Sequence, residues 1–287
     1  TMKPRFYSIA SSPLLSPDAI QLCVVGVDWK TPSGAQRHGQ CTSYLRRLQA
    51  DGKTQVRAVV SPGTMQLPEK AETPVIMAGL GTGIAPFKAI TEHRVGQARA
   101  GEKVGNTILF YGCRYRKEFV YGDLWEQYEK EGVLSHVIPA FSREQSYKIY
   151  VQDRIRENAK LVADSLVKEG GYFYYCGLAG RAPAQIRQGL IDALKKAEGM
   201  SEDKADAYLT QELCKALFSD EKIAAAYARQ LPEENCSRME RYTRQFNYPE
   251  QPSVKTKADL LRLGIKTYFC SNVCAAYKRH IFEQLGG

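Results

Sequence analysis

The 287-residue sequence predicts an α/β protein in three parts. Residues 1–71 read as the C-terminal part of an antiparallel β-barrel, 72–210 as a doubly wound parallel sheet, and 211–287 as a helical extension. Three observations predict this. From about Glu72, β-prone apolar runs alternate with helical patterns, and a parallel pair of strands needs a crossover of that kind. Before Pro68 the chain consists of short strands and turns with one helical stretch. Beyond Ser201 the composition becomes helical and charged, with no internal repeat and no low-complexity tract.

In chain order, Leu22–Val27 reads as a buried strand, Lys30–Gly34 as its turn, and Cys41–Leu48 as a helix entered through Arg37–Gly39. Val75–Met77, Thr107–Tyr111, His136–Phe141 and Gly171–Tyr175 read as strands of the parallel sheet. Phe87–Ala98, Leu124–Glu131, Val151–Asn158 and Ala184–Lys196 read as the helices between and after them. The extension reads as helices over Glu202–Leu217, Glu221–Gln230, Glu234–Arg244, Lys257–Leu263 and Ala275–Leu285.

A hydrophobic share of 44% and a charged share of 25% are those of an ordinary globular protein, and the length suffices for two modest domains. No apolar run approaches the roughly 20 residues of a membrane span, and the first residues show no signal-peptide pattern. The expectation is a cytoplasmic chain without membrane contact of its own, any anchor lying outside it. Eight scattered cysteines, without Cys-x-x-Cys pairs or histidines at zinc spacing, argue for reduced thiols over a disulfide frame or a metal site. Cys270 and Cys274 stand four apart, a spacing that suits core packing on one helix face. The net charge of +9 invites nucleic acid, yet there is no basic block and no interleaved aromatic and basic module. An anionic cofactor and acidic protein partners account for the charge as economically.

Three stretches carry chemistry. Ser142-Arg143-Glu144-Gln145-Ser146-Tyr147-Lys148-Ile149-Tyr150-Val151-Gln152 sets hydroxyl, guanidinium, ammonium and phenol on one loop. Such a set suits a terminal phosphate monoester, Arg as a bidentate fork and Lys as a point charge, although a solvated polar turn has the same composition. Pro74–Phe87 is an apolar strand running into Gly81-Thr82-Gly83 and then a helical pattern, where glycines allow close approach and the helix start offers free N–H groups. It lacks the third glycine and the downstream acid of the full dinucleotide fingerprint. Gly171–Gly177 is an aromatic strand that places Cys176 at its carboxyl end, the edge where ligands sit in doubly wound sheets.

Taken in order with Arg5-Phe6-Tyr7-Ser8, Gly39-Gln40-Cys41-Thr42-Ser43-Tyr44-Leu45 and Tyr111-Gly112-Cys113-Arg114, these stretches resemble the FAD and NADP modules of the ferredoxin–NADP reductase superfamily. The nearer branch is the diflavin reductases, which include the microsomal cytochrome reductase and the sulfite reductase flavoprotein. The resemblance covers roughly Arg5 to Leu209. It implies an NADPH-dependent oxidoreductase in which NADPH gives hydride to FAD and electrons then pass singly to FMN, haem or an iron–sulfur partner. It also implies an FMN domain upstream in a longer polypeptide, and barrel strands ahead of Arg5. From the latter follows the expectation that this chain binds NADP with ordinary affinity but holds FAD weakly.

By the same resemblance Arg5 pairs with the FAD pyrophosphate, Tyr7 lies along the flavin, and Ser8 hydrogen-bonds near its reactive nitrogen. Gly39, Cys41, Thr42 and Ser43 form the turn that receives the FAD pyrophosphate; read without the family, it is equally an ordinary helix cap. Gly81, Thr82 and Gly83 hold the phosphates of the nicotinamide nucleotide, with Arg114 as a cationic contact. Ser142, Arg143, Lys148 and Tyr150 enclose the terminal phosphate, with Gln152 beside them. Cys176 stands near the hydride-donating carbon in an orienting role, and with Ser8 makes up the catalytic pair.

Two departures stand out. Cys176-Gly177 is followed by Leu178-Ala179-Gly180-Arg181 where the diflavin branch has Asp, which is more like the plant-type, single-flavin reductases of ferredoxin or flavodoxin. About 70 residues also follow the point where the family ends in a flavin-stacking aromatic, leaving Tyr208, Phe218, Tyr268 and Phe269 as alternatives. The missing acid and the extra helices suit a third reading, a non-catalytic NADP-binding interaction module.

Overall fold

The computed structural model describes residues 5–61, 65, 67–218, 225–227 and 275–277. Two units are distinguished, residues 1–178 with 185–193, and residues 179–184 with 194–287.

In the first unit the N-terminal part holds little regular structure. β1 (Asp28–Lys30) and β2 (Gln36–His38) pair antiparallel, Trp29 opposite Arg37, across a turn in which the Thr31 amide donates to the Ala35 carbonyl at 2.9 Å. α1 (Gln40–Arg46) follows. The expected buried strand over Leu22–Val27 is not one: its only ladder contact among the described residues is the bridge of Leu22 to Ile9, and Leu22, Val25 and Val27 are 42, 61 and 48% exposed. An apolar β-prone run becomes a buried strand only where a partner strand pairs its backbone and another layer covers its face, and here the pairing stops at one bridge and most of the apolar residues stay exposed.

The parallel sheet forms as the alternation predicts. β3 (Val75–Leu80), β4 (Thr107–Cys113), β5 (His136–Phe141) and β6 (Tyr172–Cys176) pair in the order β5-β4-β3-β6, every pair parallel. β3 and β4 are buried over their first five residues, which is why they read as unbroken apolar runs. Between β3 and β4 runs α2 (Ile84–Arg99), and between β4 and β5 runs α3 (Gly122–Lys130). Between β5 and β6 lie α4 (Val151–Glu157), α5 (Ala159–Ala163) and a π-helical turn, Asp164–Lys168. Val75, Met77, Phe87, Leu109, Trp125 and Leu134 belong to one buried cluster. The chain steps outward from β3 to β5 and then returns to add β6 on the other side of β3. The order therefore reverses between β3 and β6, and the carboxyl ends of those two strands are where doubly wound sheets place their ligand crevice.

α6 (Arg181–Glu198) contributes residues to both units, and α7 (Glu202–Phe218) belongs to the second. α7 starts at Ser201, whose hydroxyl accepts from the Lys204 amide at 3.3 Å, while Lys195 and Glu202 pair at 2.7 Å. Two helical expectations in the extension are corrected. Ala225–Tyr227 and Ala275–Tyr277 are strands, β7 and β8, paired antiparallel with Ala226 opposite Ala276. Long-range pairing of two Ala-Ala-Tyr segments overrides their local helical composition. The expected helices Glu234–Arg244 and Lys257–Leu263, the pair Cys270 and Cys274, and the aromatics Tyr268 and Phe269 lie outside the described residues.

Arg94 on α2 is 2% exposed and joins the start of the sheet to the helix. Its Nε donates to Thr107 Oγ1 at 2.8 Å, and its terminal nitrogen donates to the carbonyls of Gly105 at 2.8 Å and Thr73 at 3.2 Å. Burial lowers its pKa to about 10, so the group stays charged at neutral pH and its neighbours must accept from it. Replacing Arg94 by Ala removes the donor to one buried and two part-buried acceptors; urea denaturation should show a loss of about 2–4 kcal/mol.

Candidate functional site

The crevice is built from the two strand ends beside it. Gly79 of β3 pairs with Cys176 of β6, and the chain leaves β3 through the 3-10 turn Gly81–Gly83 into α2. Gly81 has φ +55°, left-handed backbone that side chains disfavour, and a Cβ there would meet nothing within 4 Å. Gly83 is glycine for a different reason. A Cβ on it would lie 2.1 Å from the Cys176 carbonyl oxygen and 3.1 Å from the Gly177 nitrogen. The turn is thus seated on the end of β6 backbone to backbone, while Gly81 and Thr82 remain exposed. α2 starts from Gly83 without a side-chain cap, which leaves room for an anion's oxygens at its first amides. Cys176 is half-buried, and that burial raises its pKa, so the group at the strand end is a neutral thiol at physiological pH.

One strand further out, the β4–β5 pairing continues past the strands. Ser142 donates its amide to the Cys113 carbonyl at 3.0 Å and Arg143 donates to the Arg114 carbonyl at 2.9 Å, which brings Arg114, Ser142 and Arg143 together. The side chains of Arg143 and Lys148 are exposed and make no hydrogen bond or ion pair among the described residues. Arg114, by contrast, is engaged. Its guanidinium forks onto Glu118, at 2.7 Å to Oε1 and 3.2 Å to Oε2, and this hydrogen bonding holds the Glu118 carboxyl below the usual range. The Arg116 amide donates to Glu144, and the Arg116 guanidinium lies 4.7 Å over the Phe141 ring. Tyr150 stands exposed just before α4, its amide held by Asp153 Oδ2 at 2.9 Å; Gln152 packs against Gly189 of α6, where a Cβ would come within 2.9 Å of it. Two free cations and a hydroxyl at adjoining strand ends fit a phosphate monoester.

A third group lies near the N-terminus. The Cys41 thiol near Tyr7, and then burial, raise the phenol's pKa, and the nearby Arg5 charge opposes them. Ser8 is exposed. The Gly39 amide donates to the Val27 carbonyl at 2.7 Å, and α1 starts there without a side-chain cap. The Thr42 hydroxyl donates to the Gly39 carbonyl at 3.2 Å and accepts from the Val27 amide at 3.4 Å, so it is committed within the turn. Ser43 is half-buried, its amide bonded to Gly39 at 2.9 Å. Arginine, phenol and an uncapped small-residue turn, side by side, suit a dinucleotide's pyrophosphate. No hydrogen bond among the described residues joins Ser8 to Cys176.

Four charged residues escaped the sequence reading. Glu118 holds Arg114 and Glu144 holds Arg116, both arginines lying just after β4, and their signal was only proximity to those arginines. Lys88 and Glu92, 3 and 5% exposed, had a better one: they fall in the i, i+3, i+4 stripe Ile84, Phe87, Lys88, Thr91, Glu92, Val95, all of which is buried.

Comparison with known proteins bears on this arrangement. Residues 77–185 match the family described as oxidoreductase NAD-binding domain, and residues 1–44 match FAD binding domain. The chain is 43% identical over 196 residues to the sulfite reductase [NADPH] flavoprotein component of Saccharomyces cerevisiae, covering 68% of this chain and 19% of that protein. It is 38% identical over 213 residues to NADPH-dependent diflavin oxidoreductase 1 of Mus musculus, covering 73% of this chain and 35% of that protein. The chain belongs to the diflavin reductases, as their FAD/NADP-binding module. Leu178 after Cys-Gly is therefore a departure within this branch and not a mark of the plant-type reductases. The module spans about a third or less of the length of these two relatives.

In the module the turn and the β6 end share one packing constraint. Gly83→Ala should destabilise it by about 1–3 kcal/mol through overpacking against backbone that has no rotamer to yield. Gly81→Ala should cost about 1–2 kcal/mol through its dihedral alone. Denaturant midpoints check both, and crystal or NMR data should show the β6 end displaced only in the Gly83 variant.

Proposed function

We propose that this chain is the NADPH-oxidising part of a flavoprotein reductase, passing hydride from NADPH to FAD and then single electrons to FMN, haem or an iron–sulfur partner. The observation that carries the proposal is the seating of the Gly81–Gly83 turn on the Cys176 strand end at the reversal of strand order, with a free arginine and lysine on the loop two strands away. On this reading residues 1–71 are part of a barrel that binds FAD, and 72–210 are a doubly wound NADP domain. The acceptor's first station is the FMN domain of a longer protein of the kind the relatives' names describe.

Binding comes first. Amides of the glycine turn and of the first turn of α2 receive the nucleotide's pyrophosphate, to which exposed Gly81 and Thr82 leave the way open. Ser142, Arg143, Lys148 and Tyr150 take the terminal phosphate, Arg143 as the fork, with Gln152 beside them. Arg114 contributes field more than contact while Glu118 holds it. The donor carbon of the nicotinamide then falls at Cys176. A neutral thiol there orients and contacts the ring without attacking it, and the raised pKa favours that role. Arg5, Tyr7, Gly39, Cys41, Thr42 and Ser43 hold FAD, and Ser8 offers a hydroxyl to the flavin's reactive edge. FAD, when bound, supplies the ring that accepts two electrons together and releases them singly. The chain's own contribution to rate is positioning.

Arg143→Ala should weaken NADPH binding by roughly ten- to a hundredfold, from about 1.5–3 kcal/mol per charge-assisted bond, and leave NADH binding nearly unchanged. Titration calorimetry with both nucleotides checks it; equal losses would remove the phosphate-loop assignment. Cys176→Ser should retain fold and NADPH affinity but slow flavin bleaching in stopped-flow mixing with NADPH. An unchanged single-turnover rate would make Cys176 structural. A wild-type chain reconstituted with FAD that NADPH cannot bleach would return the module to a binding role.

A further inference from the structure

We infer that Lys88 and Glu92 are positioning residues that clamp the segment carrying Tyr7 and Ser8 onto α2, the helix that begins at the glycine turn. This rests on the reductase reading above. Lys88 Nζ donates to the Ala10 carbonyl at 3.0 Å, to Gln21 Oε1 at 2.9 Å and to Glu92 Oε1; Glu92 Oε2 accepts from the Ser12 amide at 3.0 Å. Ala10, Ser11 and Ser12 are buried, although most of the chain around them is exposed. The same short segment is tied on its other side, where Ile9 bridges Leu22, the Ala10 amide donates to the Gln21 carbonyl at 2.8 Å, and the Gln21 amide donates to Ser11 Oγ at 3.0 Å.

One ammonium bond and one carboxylate oxygen are thus spent on the backbone of this strip, at Ala10 and Ser12, while the ammonium's other two bonds go to Gln21 and to Glu92 itself. That strip starts two residues after Ser8. Along α2, Lys88 lies five residues from Gly83, a rise of roughly 7.5 Å. Ser8 on the flavin side and the turn seated on Cys176 on the nicotinamide side are therefore both referenced to one rigid helix. An apolar pair of similar volume would spare the desolvation of two charges, which offsets most of a buried ion pair's attraction, but would leave the buried Ala10 carbonyl and Ser12 amide without these partners. What an apolar pair cannot do is fix the Ala10 carbonyl and the Ser12 amide at defined positions, because it has no directional bonds.

The test uses the full chain in four forms: wild type, Lys88→Met, Lys88→Arg and the apolar double variant Lys88→Met with Glu92→Leu. Without cofactor, amide hydrogen exchange at Ser12 should speed up by about tenfold or more in Lys88→Met and in the double variant, and return toward wild type in Lys88→Arg. With FAD supplied in excess, the single-turnover rate of NADPH-driven bleaching should fall about tenfold or more in the same two variants, with NADP affinity within twofold of wild type, as expected of misplaced reactants. The double variant separates the roles. If the pair serves only stability, the double variant, assayed where circular dichroism shows it fully folded, bleaches at the wild-type rate, and the inference is overturned. If the pair positions, the rate stays depressed under those same fully folded conditions, with NADP affinity kept. Should Lys88→Met fail to fold, Glu92→Gln replaces it. A wild type that NADPH cannot bleach defeats the reductase reading, and the exchange arm then decides the clamp alone.

Discussion

The close approach of Gly83 to the Cys176 carbonyl is the constraint on which the site depends. A strand-to-helix turn can carry glycine for its dihedral angles, for a ligand or for a neighbour, and these have different consequences. Gly81 answers to the first and Gly83 to the last, since a Cβ there would lie 2.1 Å from backbone. Because β3 and β6 are hydrogen-bonded in register with Gly79 opposite Cys176, that seating fixes where α2 begins and what stands in front of it. The strand order makes the same place the crevice of the sheet.

α2 then acts as the reference for the rest of the first unit. Its apolar residues fill the core, Arg94 grips the loops that lead into β3 and β4, and Lys88 with Glu92 grips the segment after Ser8. Much of this helix is buried, and its buried charged residues Lys88, Glu92 and Arg94 are tolerated because each makes hydrogen bonds to other parts of the chain. The cationic groups of the loop after β5 follow the opposite rule. Arg143 and Lys148 are exposed and uncommitted, whereas Arg114 is spent on Glu118. A surface that keeps two cations free beside one already neutralised favours a small anion over non-specific attraction by net charge.

The parallel sheet was legible because β3 and β4 are apolar on both faces, and because helical stretches of the right length separate the strands. The motif residues at strand ends were legible for the same reason, their positions following from where an apolar run stops. The N-terminal part was not. Leu22–Val27 has the composition of a buried strand, but burial depends on partners, and composition does not register their presence. Nor did composition reveal that Ala225–Tyr227 pairs with Ala275–Tyr277, a contact across some fifty residues. The acidic partners Glu118 and Glu144 were missed because a carboxylate next to arginines in sequence reads as solvated surface. Lys88 and Glu92 were readable, had the stripe from Ile84 to Val95 been followed through its charged members.

The most direct test of the account is peptide-resolved hydrogen exchange of the chain with and without saturating NADP. The account predicts slowed exchange at Gly81–Ala85, Ser142–Lys148 and Cys176–Leu178 together, three segments that lie at the carboxyl ends of β3, β5 and β6, and no change in the hairpin Asp28–His38. Protection confined to the N-terminal segments, with the glycine turn and the Cys176 strand end unaffected, would contradict it.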